Sequence, residues 1–258
     1  MKHLLFIPTY NCEKQIIRVL DSVVDSNCLA YFQEVLIIDN NSEDSTLLNV
    51  KNKLSDPKFK KFSLCVNNAN FNLGGTHKVA FNYAIENQYD YVSILHGDDQ
   101  GEIDDLLQVL NNNKYHQYDC ILASRFNKKS ILINYPKYKI YLNYMINLVA
   151  SIITLKKLTD LGSCLNMFKV SYLKNKFYLH LPNDLTFNYS LILYICKSKA
   201  RFFYFPQTLR VDDQDSNVKL FSHTLRWLKI ILKYIFYKDA LFKDESLKEI
   251  EYGFKKID

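Results

Sequence analysis

Through its first 126 residues the chain alternates short apolar runs with stretches of helical periodicity, and most of the apolar runs stop in a polar cluster. The runs at 4–7, 35–38, 62–66, 91–95 and 120–123 read as strands, most of them covered on both faces. Between them, residues 13–24 set Ile16, Ile17, Leu20, Val23 and Val24 on one helical face, and 44–54, the stretch after Gly74 and Gly75, and the stretch from Glu102 read as further helices. Such alternation implies an α/β fold, a Rossmann-like and mostly parallel sheet flanked by helices. A length of 258 residues suits one domain of this kind.

Beyond residue 126 the pattern is less regular and reads as an elaboration of the same domain. Residues 138–155 form an apolar, tyrosine-rich helix, whose apolar run from Ile140 to Leu155 carries two asparagines and is flanked by Lys137, Lys139, Lys156 and Lys157. It falls short of the roughly 18 uncharged apolar residues of a membrane span. Residues 226–243 (RWLKIILKYIFYKDALFK) form a basic amphipathic helix, and both segments are read either as core-packing helices or as peripheral contacts to a membrane surface. The apolar run at the N-terminus is too short for a secretory signal, so a cytoplasmic protein, or one on the inner face of the cytoplasmic membrane, is expected. Six cysteines without a CxxC pair or histidine clustering read as reduced core thiols, not as a zinc site or disulfide framework. The net charge of +6 suits an anionic partner such as a diphosphate or acidic lipid and does not point to nucleic acid.

In open α/β sheets ligands bind beyond the carboxyl ends of the strands. Here those ends carry Pro8, Thr9, Tyr10 and Asn11; Asp39, Asn40, Asn41 and Ser42; His96, Gly97, Asp98 and Asp99; and Ser124 and Arg125. The segment HGDDQG (96–101) sets adjacent carboxylates between glycines, as a site for Mg²⁺ or Mn²⁺ or as a helix-capping turn. Asp39 suits a ribose or nucleobase, or a cap network with Ser42. The segment NFNLGGTHK (70–78) lacks the spacing of a Walker loop or dinucleotide fingerprint, yet a helix start after two glycines, with Lys78 one turn in, attracts anions.

These segments, in this order, resemble the family 2 glycosyltransferases of the GT-A fold, and especially their dolichyl- and polyprenyl-phosphate branch. IPTYN (7–11) is similar to the family's opening strand and turn, and LIIDNNSEDST (36–46) to its nucleotide-binding VDDGSxDxT. NFNLGGTHKVAFNYA (70–84) is similar to its NxGxxxAxNxG, ILHGDDQ (94–100) to its DxDxQ, and ASRF (123–126) to its GSRF. LTDLGSCLNMFK (158–169) and FPQTLRVDDQDSNVK (205–219) resemble the acceptor-side DxxSGFRxF and the closing VPIxxRxxGxSK. The resemblance spans residues 7–219. His96 stands where the first aspartate of DxD is expected, and Asn40 replaces the second aspartate of VDD.

The resemblance implies inverting transfer of a sugar from a nucleoside-diphosphate sugar, a UDP-sugar in the first instance, to a lipid-linked or saccharide acceptor in cell-envelope glycan synthesis. Residues 1–126 would hold the donor, 127–219 the acceptor, and 220–258 would be a helical extension. Donor binding falls to Pro8, Tyr10, Asn11, Asp39, Asn41, Ser42, Asn72, Gly74, Gly75, Lys78, Gly97, Asp98 and Arg125. Asp98, with Asp99, would hold a divalent cation, and Lys78 or Arg125 would offset the charge of the leaving diphosphate. A hydroxyl acceptor needs a general base, for which Asp160 and Asp184 both stand, whereas an acceptor phosphate needs none. Arg210, Gln214, Ser216 and Lys219 fall on the acceptor side. A sugar-nucleotide nucleotidyltransferase would carry a glycine- and arginine-rich loop after the first strand, where PTYNCEK stands. His96 raises a third reading, a catalytically inactive binding subunit.

Overall fold

The computed structural model describes residues 1–213, 220–237, 239–244, 247 and 250–257. Strand β1 (His3–Thr9) lies within the sheet and is buried throughout. Leu4 and Phe6 enter the core on one face, and Leu5 and Ile7 the core on the other. This is the period of two of a strand covered on both sides, and it explains the unbroken apolar run. Helix α1 (Gln15–Asp25) buries Ile16, Val19, Leu20 and Val23, and β2 (Glu34–Asp39), α2 (Thr46–Leu54), β3 (Phe62–Asn67), α3 (Asn72–Glu86) and β4 (Tyr91–Leu95) follow in the expected alternation. The helix expected from Glu102 is a 3₁₀ turn, Ile103–Leu106, continued by the single turn α4 (Leu107–Leu110). Then come β5 (Cys120–Ser124), β6 (Ile131–Ile133), α5 (Lys137–Thr154), β7 (Leu165–Lys169), α6 (Val170–Leu173), α7 (Phe187–Lys197), β8 (Phe202–Pro206), β9 (Thr208–Arg210), α8 (Leu220–Phe236) and β10 (Phe254–Ile257).

The large sheet has the order β10-β3-β2-β1-β4-β7-β5-β8. Its β3-β2-β1-β4 portion is parallel, as is β5 beside β8. Three features depart from the sequence-based expectation. β7 inserts antiparallel between β4 and β5, so the fourth and fifth strands of the chain are not neighbours. The region after residue 220 is not only helical either, because β10 returns and pairs antiparallel with β3. The basic amphipathic helix ends at Phe236, with a separate turn at Ala240–Phe242, instead of running on to residue 243.

One core packs α3, α5, α7 and α8 on one sheet face, and the other packs α1, α2 and α4 on the opposite face. All six cysteines are buried and free, as expected. Where β4 ends beside β1, a Cβ on Gly97 would lie 2.7 Å from Thr9 Cγ2 and 3.0 Å from the Pro8 carbonyl oxygen. Only glycine fits that approach. The strand ends bearing polar clusters are thereby drawn to one edge.

Candidate active site

Asparagines shape the rim beyond β1 and β2. Asn11 and Asn41 adopt left-handed φ values of 47° and 59°, a conformation asparagine tolerates better than most residues. The two turns lock together: the Asn11 N–H donates to Ser42 Oγ at 3.0 Å, and Glu43 N–H donates to Asn11 Oδ1 at 2.9 Å. Asp39 is 1% exposed, and its carboxylate accepts from Ser42 N–H (2.9 Å), Ser42 Oγ (2.6 Å) and, more distantly, Thr9 Oγ1 (3.4 Å). The base or ribose contact expected of Asp39 gives way to a turn-organising role, and Tyr10, Asn11 and Asn41 supply the exposed polar rim. Pro8 is buried inside β1. Asn40 clamps the next loop, accepting from Asn67 Nδ2 and Phe71 N–H and donating to Asn70 Oδ1. An aspartate has no N–H to make the last bond, which gives a physical reason for asparagine here.

Beyond β4 the two aspartates part company. Asp99, with φ 60°, pairs with Arg18 at 2.5 Å, and Arg18 also holds Asp213 at 2.8 Å. The metal role expected of Asp99 therefore competes with an ion pair. Asp98 has no cationic partner among the described residues, and burial pushes its carboxyl up to about 6, with Asp99 adding to the rise. A half-buried carboxylate lacking a counter-charge fits a divalent cation. No group of three or more metal-binding side chains occurs among the described residues, so the cation's remaining ligands would be diphosphate oxygens and water, as is usual for Mg²⁺. His96 is held neutral: burial, then the charge of Arg125, pulls its pKa down to about 4.

The glycine-rich helix start does not form the expected phosphate cradle. Gly74 N–H donates to the Asn183 carbonyl at 2.7 Å and Gly75 N–H to the same oxygen at 3.3 Å. A Cβ on Gly74 would lie 2.6 Å from both Phe187 Cβ and the Pro182 carbonyl. These glycines let α3 approach the entry to α7. Asn72, exposed at φ 58°, stays at the rim. Lys78 is fully buried, and its ammonium reaches the carbonyls of Leu179 (3.1 Å) and Leu181 (2.6 Å), Asn183 Oδ1 (2.7 Å) and Tyr252 Oη (3.0 Å). Burial pulls its pKa down to about 7. So enclosed, Lys78 has no path to a diphosphate, which corrects that expectation.

Arg125 and Asp160 form one unit. Nε donates to Oδ2 at 2.7 Å and Nη2 to Oδ1 at 2.6 Å, while the N–H groups of Arg125 and Gly162 complete the carboxylate. Asp160 has no exposed side-chain surface, and Arg125 keeps 13%. A carboxylate with four donors and no access is not placed as a general base, so Asp160 leaves that role. The Nη1 of Arg125 makes no hydrogen bond to a described residue. Asp184 is different: 36% exposed, it caps Thr186 through Oδ1 and meets Arg226 Nη1 at 2.9 Å through Oδ2. Its neighbour Asn183 is fixed from both sides by Lys78 and the two glycines.

Residues 208–213 strap the Asp98–Asp99 turn. Leu209 bridges Gly101, Arg210 N–H donates to the Gln100 carbonyl at 2.9 Å, and Gln15 Nε2 reaches the Asp213 carbonyl at 3.2 Å. The Arg210 side chain pairs with Glu102 at 3.1 Å and Asp212 at 3.7 Å, so its acceptor role also competes with local partners. Gln214, Ser216 and Lys219 lie outside the described residues. Sequence reading missed Arg18, the one basic residue of α1, and Arg226. In both cases a cation within an apolar helix was the available signal.

The model of the family described as "Glycosyl transferase family 2" matches residues 5–177, two thirds of the chain. No curated protein matches the sequence. Among solved structures, Staphylococcus aureus TarS superposes with a TM-score of 0.60 at 19% identity, over 96% of this chain and 41% of TarS. This chain thus spans about two fifths of that relative. TarS 1–349 in complex with UDP-GlcNAc gives 0.57 at 20% identity, over 96% of this chain and 69% of the other. Glucosyl-3-phosphoglycerate synthase from Mycobacterium tuberculosis, in complex with Mn²⁺, UDP and glucosyl-3-phosphoglycerate, gives 0.59 at 12% identity, over 91% and 79%. At these identities the likeness establishes the shared fold.

Proposed function

The chain belongs to glycosyl transferase family 2, and from that premise we propose that it transfers a sugar, with inversion, from a UDP-sugar to a hydroxyl of a lipid-linked saccharide at the cytoplasmic face of the membrane. The observation that carries this reading is the division of labour among the acidic groups. Asp160 is consumed by Arg125, Asp98 has no cationic partner among the described residues, and Asp184, although it pairs with Arg226 and caps Thr186, is the candidate base whose side chain stays partly exposed.

In the proposed reaction the acceptor oxygen attacks the anomeric carbon opposite the diphosphate. Its proton passes to Asp184, and the carbon–oxygen bond to the diphosphate breaks with its electron pair on the departing phosphate oxygen. Arg125 Nη1 offsets the leaving charge from a guanidinium whose orientation Asp160 fixes. Tyr10, Asn11 and Asn41 border the nucleoside. A divalent cation held by Asp98 would supply further neutralisation of the diphosphate.

The support for UDP and for a divalent cation is the family, together with UDP and Mn²⁺ in complexes of structural relatives. Asp184→Asn tests the base: turnover should fall ~10²–10⁴-fold with UDP affinity unchanged. Unaltered turnover would favour an acceptor that is already ionised, such as a polyprenyl phosphate. Failure of every nucleotide to bind, with or without Mn²⁺, would favour the binding-subunit reading.

A further inference from the structure

Helix α5 turns its apolar side outward. Tyr141, Met145, Leu148, Ile152 and Leu155 are 60–88% exposed and fall at helical spacing along one stripe, with Tyr138 and Tyr144 beside it. The hydrogen-bonding side chains point the other way: Asn147 donates to the Thr159 carbonyl, and Ser151 meets the backbone of Leu158. The stripe holds no charge, while Lys137, Lys156 and Lys157 lie exposed at its two ends. Helix α8 repeats the theme in another form. Trp227, Ile230, Ile231 and Tyr234 face the core, and Leu225, Leu228, Leu232 and Ile235 are 45–48% exposed. Beside that apolar column run the exposed Arg226, Lys229 and Lys233. Neither helix contains an acidic residue.

Both helices pack against α7, whose entry carries Asp184. No helix among the described residues is long and apolar enough to cross a membrane. The uncharged apolar stripe of α5, with lysines at its ends, and the apolar column of α8, bordered by cations, belong to helices that share one core and both pack on α7, and each is complementary to a bilayer of acidic lipids: acyl chains for the apolar part, headgroups for the cations. We propose that the outward faces of α5 and α8 form one docking surface for an anionic lipid bilayer, which seats the entry of α7 at the membrane where the saccharide of a lipid-linked acceptor projects. The proposal rests on the acceptor reading above for its purpose but not for its test.

The test is co-sedimentation of the full chain with phosphatidylcholine vesicles, with and without about one third phosphatidylglycerol, at two salt concentrations. Binding should require the acidic lipid and weaken with salt. Leu148→Gln/Ile152→Gln should reduce the partition coefficient tenfold or more, and Lys229→Glu/Lys233→Glu should remove the preference for acidic lipid. Both double variants alter exposed positions and should unfold at the wild-type temperature and bind UDP as the wild type does. Absence of binding to acidic vesicles, or undiminished binding by both variants, overturns the proposal. So does a stable dimer that Leu148→Gln/Ile152→Gln converts to monomer, since a second copy would then cover the stripe. UDP binding that fails while vesicle binding holds would overturn the enzymatic reading instead.

Discussion

Arg125 grips Asp160 through two parallel hydrogen bonds, at 2.7 and 2.6 Å, and the backbone supplies the carboxylate with two more. That geometry belongs to a structural ion pair which aims a guanidinium. Asp160→Asn should therefore lower stability by about 3–5 kcal/mol, the usual cost of breaking a buried pair, as read by denaturant unfolding. A folded Asp160→Asn protein of wild-type stability whose turnover is lost would instead make Asp160 the base.

The carboxyl of Asp98, raised to about 6 by burial, ties donor binding to pH. A cation competes with the proton for this group, so Mn²⁺-dependent UDP affinity should drop as pH falls below about 6, approaching tenfold per pH unit. Titration calorimetry at pH 5 to 7.5 measures this. Asp98→Ala should abolish the Mn²⁺ effect, and a wild-type affinity independent of pH would contradict the assignment.

Lys78→Met separates a structural lysine from a ligand-binding one. Loss of the ammonium strands the buried carbonyls of Leu179 and Leu181, and should cost about 1–3 kcal/mol of stability, while UDP affinity stays within a few-fold. A normally stable variant that no longer binds UDP would restore Lys78 to the diphosphate.

Three histidines should make the protein acid-sensitive. Burial lowers His3 and His77 to about 3 and His96 to about 4. Each folded-state value lies below the unfolded 6.5, so the unfolded chain binds more protons between pH 6.5 and about 4. Stability must then rise with pH across that window, by up to about 1.4 kcal/mol per unit for each histidine. Asp98, raised in the folded state, opposes one of the three below about 6. Thermal unfolding from pH 4 to 7 should show this slope, and His3→Gln should flatten it.

Much of the N-terminal half was legible because β1, β2, β4 and β5 are buried on both faces and announce themselves as apolar runs. The later strands were not. β7 carries Asn166 and Lys169, and β10 is FKKI with two lysines at a sheet edge; pairing with distant partners decides both. The site divides in the same way. Asp98 and the asparagine rim follow from position at strand ends, a local property. The fates of Lys78, Gly74 and Asp160 depend on partners 35 to 174 residues away, such as Asp160 for Arg125, Asn183 for Lys78 and Gly74, and Tyr252 for Lys78. Motif spacing carries no record of those encounters.

The return of β10 to β3 also has a bearing on synthesis. The edge of β3 has to wait for a strand that lies about 190 residues later in the chain, which at ~5–20 residues per second means roughly 10–40 s on the ribosome. Throughout that interval the nascent N-terminal half exposes an unpaired strand edge, and Tyr252, which helps enclose the Lys78 ammonium, has not yet been made. A chaperone that shields strand edges would find the bare edge of β3 in the growing chain, whereas in the finished protein β10 covers it.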